Sequence, residues 1–297
     1  MSHSKDIAEK QFEDINAIFA DIINLFVFDG ENIVNPEDLQ DTGLRSQLKL
    51  GKALHEQERD VAKLWAGAQG GIVFCLYGIE NQTVVDKDMP LRCIAYDGAA
   101  YKKQVNQHNS KEPSVPTYPV ATIVLYFGAG EWTGPTSLLD CIDADINPKL
   151  KPFVNDYRIH VFSMQTLPEE AVQRCRSDFR YIVDWAVKTG QGRTDFVDGI
   201  VQYPDALTKL LSSLTGDNRW EDAYNRLHEK EELHMCELLD VIEKRGETKG
   251  KIEGAEQAET KFAKLLAKLL SIGAQDDIVR IASDATYRAG LYKKYNI

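Results

Sequence analysis

The sequence is poor in the features that mark disulfide-stapled, metal-stapled and membrane-spanning chains. It holds only 5 cysteines in 297 residues. They stand at Cys75, Cys93, Cys141, Cys175 and Cys236, odd in number, scattered and never as Cys-x-x-Cys, which excludes a disulfide framework and a zinc knuckle. The histidines (His3, His55, His108, His160, His228, His234) show no paired ligand spacing, so zinc chemistry has no support either. No apolar run approaches the roughly 20 residues that span a bilayer; the longest, Ile72 to Ile79 and Val120 to Phe127, are strand-sized. The opening Met-Ser-His-Ser-Lys-Asp has no apolar leader, so the expected location is cytoplasmic, with no membrane partner. Neither a Gly-x-x-x-x-Gly-Lys-Ser/Thr loop nor a Gly-x-Ser-x-Gly elbow occurs, which removes P-loop hydrolases and esterases.

What is present is an ordinary globular composition, 43% hydrophobic and 27% charged, with a formal charge of −11. That balance is not the signature of a nonspecific nucleic-acid coat, although it leaves room for a local basic patch.

Apolar residues at helical spacing from Ile7 to Phe26 predict one amphipathic helix. Leu44 to Gln57 reads as strand or loop. Arg59 to Trp65, the Gly70-Gly71 turn and Ile72 to Ile79 predict a hairpin whose second strand, apolar on both faces, belongs in mid-sheet. Asp88 ahead of Met89-Pro90 opens a helix to about Asn106, with Leu91, Ile94, Gly98, Tyr101 and Val105 as its core face. Val120 to Phe127 and Tyr157 to Met164 read as strands, and Pro168 to Lys188 as a helix. Strands among helices over residues 1–190 give one α/β domain. From 191 to 297 the pattern is helical only. It includes an arm, about 229–270, with Gly246, Gly250, Gly254 and Ala258 four residues apart, and short terminal helices. Such small residues form either a ridge for a second helix or part of a solvated arm.

The chemistry concentrates at Gly78-Ile-Glu-Asn-Gln82, the carboxyl end of the buried strand. Glu80 and Gln82 share a face, and an acid ending an apolar run needs a cation or a partner. Asp60 opens the facing strand, so the two carboxylates can meet at one sheet edge as hard oxygen ligands for Mg²⁺ or Mn²⁺. The plainer reading makes Glu80 a strand-end acid paired with Arg59 or Arg92.

The strings Asp60-Val61, Gly78-Ile-Glu-Asn-Gln-Thr83, Met89-Pro-Leu-Arg92 and Tyr96-Asp97 together resemble the Rpn-type recombination-promoting nuclease and putative transposase family, a branch of the PD-(D/E)XK nucleases. Val124 to Gly128, Trp132 to Pro135, Val154 to Arg158 and the closing Tyr287 to Tyr295 segment extend the resemblance over nearly the whole chain. It implies a restriction-endonuclease-like core, a central mixed sheet flanked by helices, followed by the helical extension. It also implies a Mg²⁺-dependent DNA endonuclease, commonly a homodimer, linked to recombination, mobile elements or defence. On this resemblance Asp60, Glu80 and the backbone carbonyl of Asn81 hold the metal, and Gln82 stands where the superfamily usually has lysine. A further acid comes from the first helix, with Asp21 as the candidate ahead of Glu13. Arg92, Tyr96, Lys102 and Lys103 are the expected DNA contacts. The rival reading is a DNA-binding or protein-interaction module of the same fold that cleaves poorly, with the helical tail controlling association.

Overall fold

The computed structural model describes residues 2–41, 46–50, 53–57, 61–66, 74–109, 117–142 and 145–297. Asp60, Arg59 and the Gly70-Gly71 turn lie outside the described residues. The chain divides into two compact units, Met1–Cys236 and Glu237–Ile297.

The first unit begins with α1 (Ser2–Glu13) and α2 (Asn16–Val27). The single helix expected over 7–26 is thus two, parted at Asp14 and Ile15. Asp14 ion-pairs with the buried Lys63 at 3.0 Å, a tertiary partner that periodicity does not register. The strands are β1 (Leu39–Asp41), β2 (Ser46–Leu50), β3 (Ala53–Gln57), β4 (Val61–Ala66) and β5 (Phe74–Gln82). β2 and β3 pair with each other in the stretch left open between strand and loop. After α3 (Met89–Asn109) come β6 (Val120–Tyr126) and β7 (His160–Ser163).

The main sheet runs β1-β4-β5-β6-β7. β1–β4 and β4–β5 are antiparallel, whereas β5–β6 and β6–β7 are parallel, so the sheet is mixed and β5 lies at its centre, as its two-faced apolar character requires. The parallel crossover from β5 to β6 is made by α3. Residue alternation then assigns the faces. Lys63, Tyr77, Ile79 and Asn81 share one face, where Lys63 meets Asp14 and Asn81 meets Glu13 at 2.8 Å. Gly78, Glu80 and Thr122 share the other, toward α3, where Thr122 donates to Asp97 at 2.7 Å and Arg92 meets Glu80.

The helix expected over 168–188 is also two, α4 (Glu170–Arg174) and α5 (Phe179–Gly190). The Phe26 and Phe162 rings, 4.4 Å apart, tie α2 to β7. α6 (Pro204–Thr215), packed on α1, and α7 (Arg219–Leu227) complete the unit. The compact units divide at Cys236, so α6 and α7 lie in the first of them.

The second unit contains nearly all of α8 (Met235–Ser271), then α9 (Gln275–Ser283) and α10 (Ala285–Tyr295). Its own core is Leu265, Leu269, Ile281 and Leu291, with Phe262 and Tyr287 against it. The glycine-spaced stretch is continuous helix within α8.

Candidate functional site

β5 delivers Glu80 to the carboxyl edge of the sheet with 0% of its side chain exposed. A carboxylate so placed costs several kcal/mol unless a cation meets it. Arg92, one turn into α3, supplies that cation: its Nη2 lies 3.2 Å from Glu80 Oε2 and its Nη1 donates to Asp86 Oδ2 at 2.9 Å. The core of Met89, Cys93, Val124 and Ile159 holds α3 against β6, the parallel neighbour of β5. Burial works against the charged form of both Arg92 and Asp86. It is the largest single effect on each, but the Arg92–Asp86 hydrogen bond outweighs it together with Tyr96 and Glu80 for Arg92, and with the Asp88 amide and Lys87 for Asp86, raising the Arg92 pKa and holding Asp86 below the ordinary carboxylate value. The Arg92 partner foreseen in the plainer sequence reading is thus observed. Asp86, which fixes Arg92 from the second side, was missed; its only sequence signal is an acid in the loop just before the helix.

Arg92 was expected to touch DNA, but its guanidinium is engaged by two carboxylates. Tyr96, expected beside it, is only 5% exposed, so its ring packs inside the fold rather than facing a phosphate backbone. Lys102 and Lys103 are exposed on α3. Gln82 is half-buried on the same strand, its carbonyl accepting from Phe127 N at 2.7 Å. Asp60 itself lies outside the described residues; Val61, next in the chain, pairs with Ile79, one residue before Glu80.

Asp21 is placed elsewhere. Its carboxylate accepts from Arg176 N, Ser177 N and Ser177 Oγ at 2.7 to 3.0 Å, binding the chain between α4 and α5. It serves the fold because those amides lie in the link between the two helices, where neither helix supplies them a partner. The acid from the first helix that does reach the motif is Glu13, 2% exposed and accepting from Asn81 Nδ2. Strand alternation puts Asn81's side chain opposite to Glu80's, so Glu13 braces the strand from behind.

Asp97 forms a second buried polar centre on the α3 side, accepting from Thr122 Oγ1 at 2.7 Å and Tyr157 OH at 2.6 Å. It locks α3 to the sheet, and so fixes Arg92 relative to Glu80. Above the edge, Cys141 Sγ lies 3.4 Å from the Lys87 carbonyl. The loop after β6 thereby rests on the β5–α3 connection.

For metal, the described donors are the Glu80 carboxylate and the Asn81 carbonyl, hard oxygens of the kind Mg²⁺ takes. Among the described residues no three metal-ligating side chains cluster. Nor is any described helix long and apolar enough to cross a membrane. The family model described as putative transposase, YhgA-like, matches residues 30–215. No curated protein and no solved structure matches.

Proposed function

The chain belongs to the family described as putative transposase, YhgA-like, and on that premise we propose that it is a metal-dependent DNA endonuclease working at the carboxyl edge of β5. The observation that carries this reading is Glu80: a fully buried acid at the end of the central strand, held by an arginine from the crossover helix. Burial of this kind carries a solvation cost, and buried, charge-paired acids at sheet edges are candidates for hydrolytic chemistry.

Asp60, Glu80 and the carbonyl of Asn81 are the residues that would hold Mg²⁺ or Mn²⁺. The ion would supply positive charge to a phosphodiester and lower the pKa of a bound water. The rest falls to the protein's own groups. Arg92 ion-pairs with the Glu80 carboxylate and Asp86 holds Arg92 from its other side. Gln82, on the Glu80 face, offers an amide that orients a water by hydrogen bonds but, unlike lysine, brings no charge. The acidic surface limits nonspecific adhesion to DNA. Lys102 and Lys103 remain the exposed cations of α3 for a phosphate backbone. A homodimer and control through the helical tail belong to the same proposal, and sedimentation of the full chain reads the first directly.

One observation favours a second reading, a binding module of the same fold: Arg92 already occupies Glu80 Oε2. Mn²⁺ titration followed by electron paramagnetic resonance separates the two. The endonuclease reading expects one bound Mn²⁺, weakened at least tenfold by Glu80→Gln and by Asp60→Asn. A chain that binds none, or binds it equally well in both variants, is a module.

A further inference from the structure

A cavity of about 390 Å³ opens beside the start of α5, lined by Arg176, Ser177, Asp178, Arg180, Gln202 and His234 among others. None of these belongs to the Glu80 edge. Five described arginines of this acidic chain are paired with acids, and the cavity's two are not among them. Arg92, Arg158, Arg193, Arg219 and Arg280 each reach an aspartate or glutamate. Among the described residues neither Arg176 nor Arg180 does. Arg176 Nη1 donates to the Gly30 carbonyl at 3.1 Å. Arg180 lies over the Tyr181 ring, 4.6 Å from its centroid, and donates to the Tyr181 hydroxyl. These bonds orient the two guanidiniums without neutralising them, and leave most of their N–H donors unspent.

The backbone is shaped around one of them. Gly199 has φ +153, and a Cβ there would lie 1.9 Å from Arg180 Nη2. The absence of a side chain at this position therefore makes the space that the guanidinium fills. The carboxylate in the lining feels the Arg180 charge but forms no ion pair with it. Asp178 is 1% exposed, and its oxygens accept from Gln202 N and Tyr203 N at 3.0 and 2.6 Å, turned into the loop that leads to α6. Asp198, near His234, is likewise taken up by Cys236 N at 3.0 Å.

Two guanidiniums that ion-pair with no described carboxylate, with hydroxyl, amide and imidazole groups around a small cavity, match a phosphate, whose oxygens accept paired N–H donors from arginine. The volume is that of a small-molecule site. We propose that this cavity is a phosphate site separate from the Glu80 edge, taking the phosphate monoester of a nucleotide, either a free mononucleotide or the 5′ end of a DNA strand. The monoester is favoured over a bridging diester because it carries up to two charges, one for each arginine.

The test is calorimetric titration of the full chain in EDTA, which silences any metal-dependent edge. The probes are dAMP, deoxyadenosine, and one short single strand with a 5′-phosphate or a 5′-hydroxyl. Binding is expected for dAMP and not for deoxyadenosine, weakened about tenfold or more by Arg176→Gln and by Arg180→Gln. Gly199→Ala, which keeps both charges but displaces Arg180, should weaken it comparably. A 5′-phosphorylated strand binding more tightly than dAMP assigns the site to DNA ends; equal or weaker binding assigns it to free nucleotides. Binding of no phosphate probe, or binding that survives both arginine substitutions, overturns the proposal. Arg176 is exposed, so its variant remains informative if Arg180→Gln fails to fold. Because no metal is present, failure here leaves the endonuclease reading untouched, and the reverse also holds.

Discussion

Asp21 shows how much one buried carboxylate can organise. Its bonds reach Arg176 and Ser177, more than 150 positions along the chain, and join α2 to the start of α5. Asp21→Ala strands two backbone amides and a hydroxyl, so it should cost about 3 kcal/mol of stability. Urea unfolding reads this directly, and a loss under about 1 kcal/mol would mean that the amides find other partners. Asp195 offers a separate check on the electrostatics. The Arg193 hydrogen bond, with Lys188 beside it, pulls its pKa down from 3.8 to about 2 against a small effect of burial. Its folded-state pKa is therefore below the unfolded one. The stability it contributes is present above about pH 4 and is lost as the pH falls through about 2. Carboxyl NMR should find Asp195 titrating near 2, and Arg193→Gln should move it upward; a wild-type value near 3.8 would contradict the geometry.

At the scale of elements, α3 is the instructive case. Its expected core face, Leu91, Ile94, Tyr101 and Val105, is 36 to 54% exposed. The buried stripe is Met89, Cys93, Tyr96, Asp97, Ala100 and Gln104. Hydrophobic periodicity chose the wrong side because two members of the true core stripe are polar. Asp97 is satisfied by Thr122 and Tyr157, and Gln104 by both backbone groups of Tyr118. Those partners lie on other elements and leave no mark in the local pattern. Tyr96→Ala should therefore cost about 3 kcal/mol, and Val105→Ser less than about 0.5. Equal costs in thermal or urea unfolding would put the helix back on its expected face. The strands were easier to read. β5 and β6 are dense in apolar and aromatic residues, and their central placement follows from being apolar on both sides. Glu80 was legible for the same reason, as an acid where none is cheap. Asp86, the Glu13–Asn81 contact and the bonds Asp21 makes to the link before α5 were not, because each depends on tertiary contact.

At the scale of the molecule, the helical tail is a structural unit with its own apolar centre. All four tryptophans, Trp65, Trp132, Trp185 and Trp220, fall in the first unit, so their fluorescence reports on that unit alone. Leu269→Ala, in the centre of the second, should shift the unfolding transition seen by far-ultraviolet dichroism. The transition seen by tryptophan emission should stay within about 1 °C. Equal shifts in both would show one cooperative body. The family match at residues 30–215 lies wholly within the first unit, which is where the chemistry is to be sought. The central claim, that the β5 edge cuts DNA, is tested most directly by plasmid nicking in Mg²⁺ or Mn²⁺, comparing the intact chain with Asp60→Ala and Glu80→Ala at matched purity. The account predicts metal-dependent nicking reduced at least a hundredfold by each substitution, on the order of the loss when an essential charged group is removed from such a site. Nicking that persists in both variants, or an intact chain inactive with either metal, would contradict it.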